Sequence, residues 1–310
     1  MIVTVTVNPC VDRTVYIDEL HVGEIIRATH ADTIAGGKGN NVARVVKALG
    51  EDVRPVILVG GETGQLIERL LREGDGLEPV ACRIGEPSRE VVTVLEESTG
   101  VQTAYVEPGP HVSLDEANAF VQVATRSFDG ADLVVLSGSV PCPALAGIYA
   151  RLVPLAQERG ARVILDTRDE ALRLGLEAQP DTLNCNRAEA EQLLGCTIAG
   201  IEAAARAVRE LCSRGPHLVT LTVGAEGFVA GSAAGTWHVE PPEVEVVNPV
   251  GAGDALVGGL AVGLARELPP AELLRFAQAV SAASVGHWHA GTIDRNHIPA
   301  LLPRVRLRRM

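Results

Sequence analysis

The chain has 310 residues and a formal net charge of −12, which argues against a nucleic-acid partner, because phosphate backbones are held through clustered Lys and Arg. Hydrophobic residues make up 46% and aromatic ones only 3%, so the core must be built of Val, Leu, Ile and Ala, and long disordered stretches are excluded. No run reaches the roughly 18 apolar residues of a membrane span, Met1-Ile2-Val3-Thr4 lacks the basic start of a signal peptide, and the six cysteines contain no C-x-x-C pair; a cytoplasmic protein with no membrane partner is expected.

Residues 2 to 8 are β-branched and read as a first strand that delivers the chain past Asn8-Pro9 to Asp12. Residues 13 to 34 lack helical periodicity and fit short, partly exposed strands, and 88 to 107 read as a hairpin around Ser98-Thr99-Gly100. One small sheet is expected from the two regions. A helix after Gly39, stopped by Gly50, leads into the strand VRPVILVG and a helix near 63 to 73. Helices near 114 to 127, after Pro143 and after Thr167 then alternate with the strands ADLVVLSG, ARVILD and DTLN. Continuous apolar runs such as Leu133-Val134-Val135-Leu136 suit parallel strands covered on both faces.

The last third changes character. HLVTLTV, EGFVAG and GTWHVE read as antiparallel strands at a sheet edge, Val244 to Val247 as a strand that breaks into a glycine turn, and 252 to 266 and 270 to 286 as long apolar helices. Arg304, Arg306, Arg308 and Arg309 read as a frayed, solvated end. Nothing divides the chain, so one α/β domain over 1–310 is expected.

Three places carry chemistry. In Asn248-Pro249-Val250-Gly251-Ala252-Gly253-Asp254, small residues open a helix whose free N–H groups and dipole favour an anion. Asp254 should stay ionised there, and a simple helix cap explains it as well as a catalytic acid does. Ala35-Gly36-Gly37-Lys38-Gly39-Asn40-Asn41 is a second glycine turn before a helix, with Lys38 and Asn41 as donors for sugar hydroxyls or a phosphate. Asp12 is a carboxylate able to accept from two neighbouring hydroxyls, or an ordinary turn residue. A Walker A loop is excluded because Gly39 follows Gly37-Lys38, and a dinucleotide fingerprint because Leu256 stands where a small residue is needed. His287-Trp288-His289 is no metal pair at i, i+2 spacing, and a packed or surface role is expected.

These elements, in this order, resemble the ribokinase-like (PfkB) carbohydrate kinases. The two glycine turns are similar to the family's two signatures, and Ser137-Gly138-Ser139, Asp166-Thr167, Asn186-x-x-Glu189 and Thr222-Val223-Gly224 fall in family order. Asn8-Pro9-x-x-Asp12 and Glu170-Ala171-Leu172 resemble the phosphosugar branch, the 1-phosphofructokinase and tagatose-6-phosphate kinase type. The resemblance implies a ribokinase-like, mostly parallel central sheet flanked by helices, with a small β-sheet lid (about 10–34 and 86–108) that closes over the sugar and makes a homodimer. It further implies ATP and Mg2+, with Asp254 as catalytic base and the N–H groups of Gly251, Ala252 and Gly253 facing the transferring phosphoryl group. Asp12, Gly37, Lys38, Asn41 and Ser139 would hold the sugar, with Arg89 and Arg27 on its phosphate. Asn186, Thr222, Gly224, Gly227 and Gly253 would line the nucleotide site, and Glu189 would place the metal through water.

Two departures bear on substrate choice. The lid strand reads Ser88-Arg89-Glu90-Val91, keeping the family's arginine but not its asparagine, and Asn184-Cys185-Asn186 replaces Lys-Pro-Asn, removing a cation near the ATP phosphates. The resemblance implies a ketohexose phosphate as the acceptor; the departures motivate an unphosphorylated sugar or nucleoside as the alternative, with a non-catalytic sugar-binding protein as the more remote one.

Overall fold

In the computed structural model, which describes residues 1–310, the chain forms two sheets. The first strand, β1 (Ile2–Thr6), is buried along its whole length. It is followed by β2 (Cys10–Ile17), β3 (His30–Gly36), α1 (Lys38–Ala48), β4 (Val53–Gly60) and α2 (Gly61–Arg69), which runs into a π turn over Leu70–Gly74. Next come β5 (Val80–Ile84), β6 (Arg89–Glu96), β7 (Gln102–Val106), α3 (Leu114–Ser127), β8 (Leu133–Ser137), α4 (Ile148–Gln157) and β9 (Arg162–Asp166). α5 (Asp169–Glu177), β10 (Thr182–Asn186), α6 (Arg187–Leu194), α7 (Gly200–Ser213), β11 (Leu218–Thr222), β12 (Phe228–Ser232) and β13 (Gly235–Glu240) follow. The chain closes with α8 (Ala252–Ala265), α9 (Pro270–Ser284), α10 (Ile298–Leu301) and β14 (Arg306–Arg309).

The large sheet runs β14-β13-β12-β11-β10-β9-β8-β1-β4-β5, parallel from β11 to β5 and antiparallel from β11 outward to β14. Alternation along β8 explains its two-sided core. Val134 and Leu136 point into a cluster with Phe120, Tyr149 and Val208, while Leu133 and Val135 point into another with Val45, Leu260 and Val280. Helices thus cover both faces. The small sheet, β3-β2-β6-β7, pairs β2 with β6 in parallel and closes with antiparallel hairpin partners. No helix is long and apolar enough to cross a membrane.

Four details differ from the sequence expectations. β5, α6 and α7 were not anticipated. The C-terminal arginines are not frayed: Arg306 to Arg309 pair with Glu240 to Trp237 and extend the sheet, because β13 otherwise presents an open edge. Residues 244–247 form no strand, since β12 and β14 already occupy both edges of β13; instead Val247 and Asn248 donate their N–H groups to Val285 O. Finally, α1 starts at Lys38 rather than after Gly39, with Gly37 as its N-cap at φ 114°.

Candidate active site

The parallel strands β1, β8, β9, β10 and β11 all end on the same side, the crevice where open α/β sheets receive ligands. Asp166, Asn186 and Thr222 are the last residues of β9, β10 and β11, and Asn8 and Ser139 lie two residues beyond the ends of β1 and β8. The first turns of α1 and α8 meet there as well.

At that meeting point Asn41 Nδ2 donates to Asp254 Oδ2 at 2.7 Å. The amide cannot flip, because Asn41 Oδ1 accepts from Arg44 Nη1 at 2.8 Å, and Arg44 Nε is held by Asp75 Oδ1 at 2.8 Å. Arg44 was missed by sequence reasoning; its i+3 spacing from Asn41 on one helix is the signal that could have found it. Asp254 is not a cap. The N-cap of α8 is Gly251, and Asp254 sits in the first turn with its side chain turned to Asn41.

Burial works against the expectation that Asp254 stays ionised. The residue is 7% exposed, and burial, helped by the nearby negative charge of Asp166, pushes its carboxyl from the ordinary 3.8 up to about 7, against the opposing pulls of Lys38, the Asn41 hydrogen bond and Arg44. Loss of water around the charge is the largest of these effects.

Gly251 is required by the backbone: its φ is +85°, and a Cβ there would lie 2.6 Å from Ala290 Cβ. Gly253 is different. A Cβ at that position meets nothing within 4 Å, so its missing side chain keeps open space beside Asp254. The Ala252 N–H donates to Pro249 O at 3.3 Å, whereas no protein acceptor takes the N–H of Gly251, Gly253 or Asp254.

Lys38 Nζ lies 3.3 Å from Asp166 Oδ1, and the attraction of Asp166, with Asp254 and Glu189 nearby, raises its pKa over the cost of burial. Asp166 also accepts from Ser137 Oγ (2.7 Å) and Asn184 Nδ2 (3.0 Å), while Asn184 Oδ1 accepts from Thr220 Oγ1 at 2.8 Å. Asn186 and Glu189 form a capping box at the start of α6: Asn186 N donates to Glu189 Oε2 at 2.8 Å and Glu189 N to Asn186 Oδ1 at 2.9 Å. Burial raises the Glu189 carboxyl's pKa, with Lys38 opposing.

Asp12 lies within β2 rather than in a turn, and its carboxylate has no hydrogen bond or ion pair in the protein. Burial raises its pKa, offset by Arg44, His289 and Arg89. Gly36 and Gly37 bring the second glycine turn against β1 and β2: a Cβ on Gly36 would lie 2.9 Å from Asp12 Cβ, and one on Gly37 2.9 Å from Thr6 Cγ2. Arg89 Nη2 donates to Asn8 O at 3.3 Å, while its Nε is buried without a partner. Ser139 Oγ accepts from Asn8 Nδ2 at 3.2 Å. Arg27 is not brought in; it is exposed on the loop between β2 and β3.

Thr222, Gly224, Gly227 and Gly253 line one cleft of about 780 Å³, walled by Phe228, Leu256 and Val285. That volume suits a nucleotide-sized ligand. Asn186 is not among its walls, its side-chain oxygen being committed to the cap.

The pattern of the pfkB family carbohydrate kinases matches residues 5–296. The chain belongs to this family. It is 30% identical over 310 residues to the 1-phosphofructokinase of Bacillus subtilis, covering 100% of both chains. Identity to the tagatose-6-phosphate kinase of Staphylococcus epidermidis is 32% over 308 residues, 98% of each. The structure of Escherichia coli phosphofructokinase-2 in complex with fructose-6-phosphate superposes with a TM-score of 0.88 at 25% identity, over 97% of this chain and 98% of that one. The fold is thus ribokinase-like, and the chain is a phosphotransferase acting on an alcohol group, with ATP as the donor its family implies.

Proposed function

We propose that the chain transfers the γ-phosphate of ATP to a hydroxyl of a ketohexose phosphate, forming the bisphosphate. The observation that carries this is Asp254: a buried carboxyl with a pKa near 7, oriented by Asn41, where the two glycine turns meet. A general base works best when its pKa lies near the working pH. Asp254 takes the proton of the acceptor hydroxyl, while the free N–H groups of Gly251, Gly253 and Asp254, at the positive end of α8, face the phosphoryl oxygens. Lys38 adds a fixed positive charge between Asp166 and Asp254. Phosphoryl transfer depends mainly on such positioning and charge stabilisation.

Asp12, half-buried and unpartnered, accepts from sugar hydroxyls, and Arg89, with its orphaned Nε, reads the phosphate already on the acceptor. No cluster of three His, Cys, Asp or Glu side chains is present that could hold a metal on its own. Mg2+ keeps several waters and would bind chiefly through nucleotide phosphates, with Glu189 contributing through water. When bound, the ion neutralises phosphate charge. Val22, Ile25, Tyr105 and Val106 are exposed on the small sheet and its loop, which supports a homodimer through the lid. Six unpaired cysteines support the cytoplasmic compartment.

ADP release with Mg-ATP, measured across fructose 1-phosphate, fructose 6-phosphate, tagatose 6-phosphate, ribose, fructose and nucleosides, tests this reading. Turnover should be confined to the ketohexose phosphates. A preference for an unphosphorylated acceptor would overturn the assignment of Arg89, and no turnover with any acceptor would remove the proposed function.

A further inference from the structure

The segment after α9 touches three parts of the site. Asn248 Nδ2, in the phosphate turn, donates to Trp288 O at 2.8 Å. Ala290 fills the space over Gly251, and Gly291 packs on the backbone of Asn41, where a Cβ would lie 2.8 Å from Asn41 Cα. The side chains between them reach the small sheet.

Asp12, Thr14 and Tyr16 alternate along β2 and share one face, and register sets Asp32 opposite Thr14 and His30 opposite Tyr16 on that face. The Tyr16 ring stacks on His30 with centroids 3.9 Å apart and planes at 11°, and its hydroxyl donates to Asp32 Oδ2 at 3.1 Å. From the body, Trp288 meets Tyr16 edge-on at 6.3 Å and 86°, and His289 Nε2 lies 3.5 Å from the same Asp32 oxygen. These residues, with Leu95, Glu96 and Glu97 of the lid hairpin, surround a cavity of about 520 Å³. Among the hydrogen bonds and ion pairs of the sheet's outer half, residues 14–32 and 92–105, only His289–Asp32 crosses to the body.

We propose that Trp288 and His289 are positioning residues for the acceptor: they grip Tyr16 and Asp32, and so hold the small sheet, with Asp12 on its inner face, over Asp254. The inference rests on the acceptor site proposed above. Neither residue touches the transferring phosphoryl group. They act through β2, a strand on which Asp12 and Tyr16 are four residues apart, so any swing at Tyr16 is carried to Asp12. An aromatic edge contact and a partly exposed imidazole–carboxylate contact are each weak. Weak contacts suit a grip that must release at every turnover to admit the sugar.

The test uses the full chain with Mg-ATP and the ketohexose phosphate that the acceptor screen identifies. His289→Ala, Trp288→Ala and Asp32→Asn should each raise the acceptor KM about tenfold and leave the ATP KM within about twofold. ATP hydrolysis without transfer should rise relative to sugar phosphorylation, because a loosened sheet admits water. His289→Ala combined with Asp32→Asn should be no worse than the worse single change, and Trp288→Phe should restore the wild-type acceptor KM. An unchanged acceptor KM overturns the proposal, and so does an equal rise in both KM values. Should the wild type phosphorylate no acceptor, the proposed function fails, and the grip is read separately. In a Trp237→Phe background Trp288 is the one remaining indole, and Asp32→Asn or Tyr16→Ala should increase its quenching by acrylamide; unchanged quenching overturns the grip.

Discussion

Replacing Asp254 by Asn tests both the base and the physics that tunes it. Asn has nearly the same shape, its Oδ1 can accept from Asn41 Nδ2, and Lys38 keeps its partner Asp166 at 3.3 Å, so the fold should survive. Burial lifts the Asp254 carboxyl from 3.8 to about 7, which corresponds to about 4 kcal/mol in favour of the neutral form. The folded-state value lies above the unfolded one. Between pH 3.8 and about 7 the folded chain therefore keeps a proton that the unfolded chain releases, and Asp254's contribution to stability falls as pH rises through that window. Above about pH 7 its full cost stands. Asn carries no such cost. Denaturant unfolding should find Asp254→Asn more stable than wild type at pH 8, by up to about 4 kcal/mol, with the difference fading toward pH 4. In the ADP-release assay kcat should fall by about 10²- to 10⁴-fold, the usual contribution of a general base, while both substrates still bind. Turnover within about tenfold of wild type would remove Asp254 as the base. A variant less stable than wild type at pH 8 would refute the buried-charge account.

The two glycines of the turn that opens α8 should separate fold from chemistry. Gly251→Ala, at φ +85° and facing Ala290, should lower stability by about 1–3 kcal/mol; Gly253→Ala should leave Tm within a few degrees while its methyl group, placed in open space beside Asp254, lowers kcat, and a fully active Gly253→Ala would show that the space is not used. For the wild type, kcat/KM should rise with pH through about 7 as Asp254 ionises. Asn41→Ala removes a hydrogen bond to the ionised form, so that limb should move to higher pH, and a move to lower pH contradicts the assignment. Arg89→Ala should raise KM about tenfold or more for phosphorylated acceptors alone; an equal effect on unphosphorylated sugars would make Arg89 structural.

How much of this was legible in the sequence depended on the range of the forces involved. The two glycine turns, most of the βα alternation and the two β regions of the small sheet are local patterns and fold close to the reading, although β5, α6 and α7 were not anticipated and the pairing of β2 with β6 joins distant segments. β14 was not legible, because what makes Arg306 to Arg309 a strand is the open edge of β13, some 70 residues earlier in the chain. Val244 to Val247 reads as a strand on side-chain type, yet a strand also needs a free edge beside it, and both edges of β13, the strand it follows, are taken by β12 and β14. At the site, Asn41 and Asp254 could each be nominated alone. Their 2.7 Å contact spans 213 residues of sequence, and the acidity of Asp254 is set by the burial that this closure creates.

The replacement of the family's lysine by Asn184 shows the same limit from the other side. Read alone, it removes a cation from the nucleotide site. In the fold, Asn184 is buried between Asp166 and Thr220, donating to one and accepting from the other, and Asp166 is further held by Ser137 and Lys38. A lysine at 184 would bring a second ammonium to a carboxylate that Lys38 already neutralises, and would leave Thr220 Oγ1 without its acceptor. Lys38 is also the cation whose charge acts on Asp254 and Glu189 together. One ammonium therefore acts on Asp254, on the capping carboxylate Glu189 and on Asp166 at once, which is why its tie to Asp166, at the end of β9, matters as much as its position in the glycine turn.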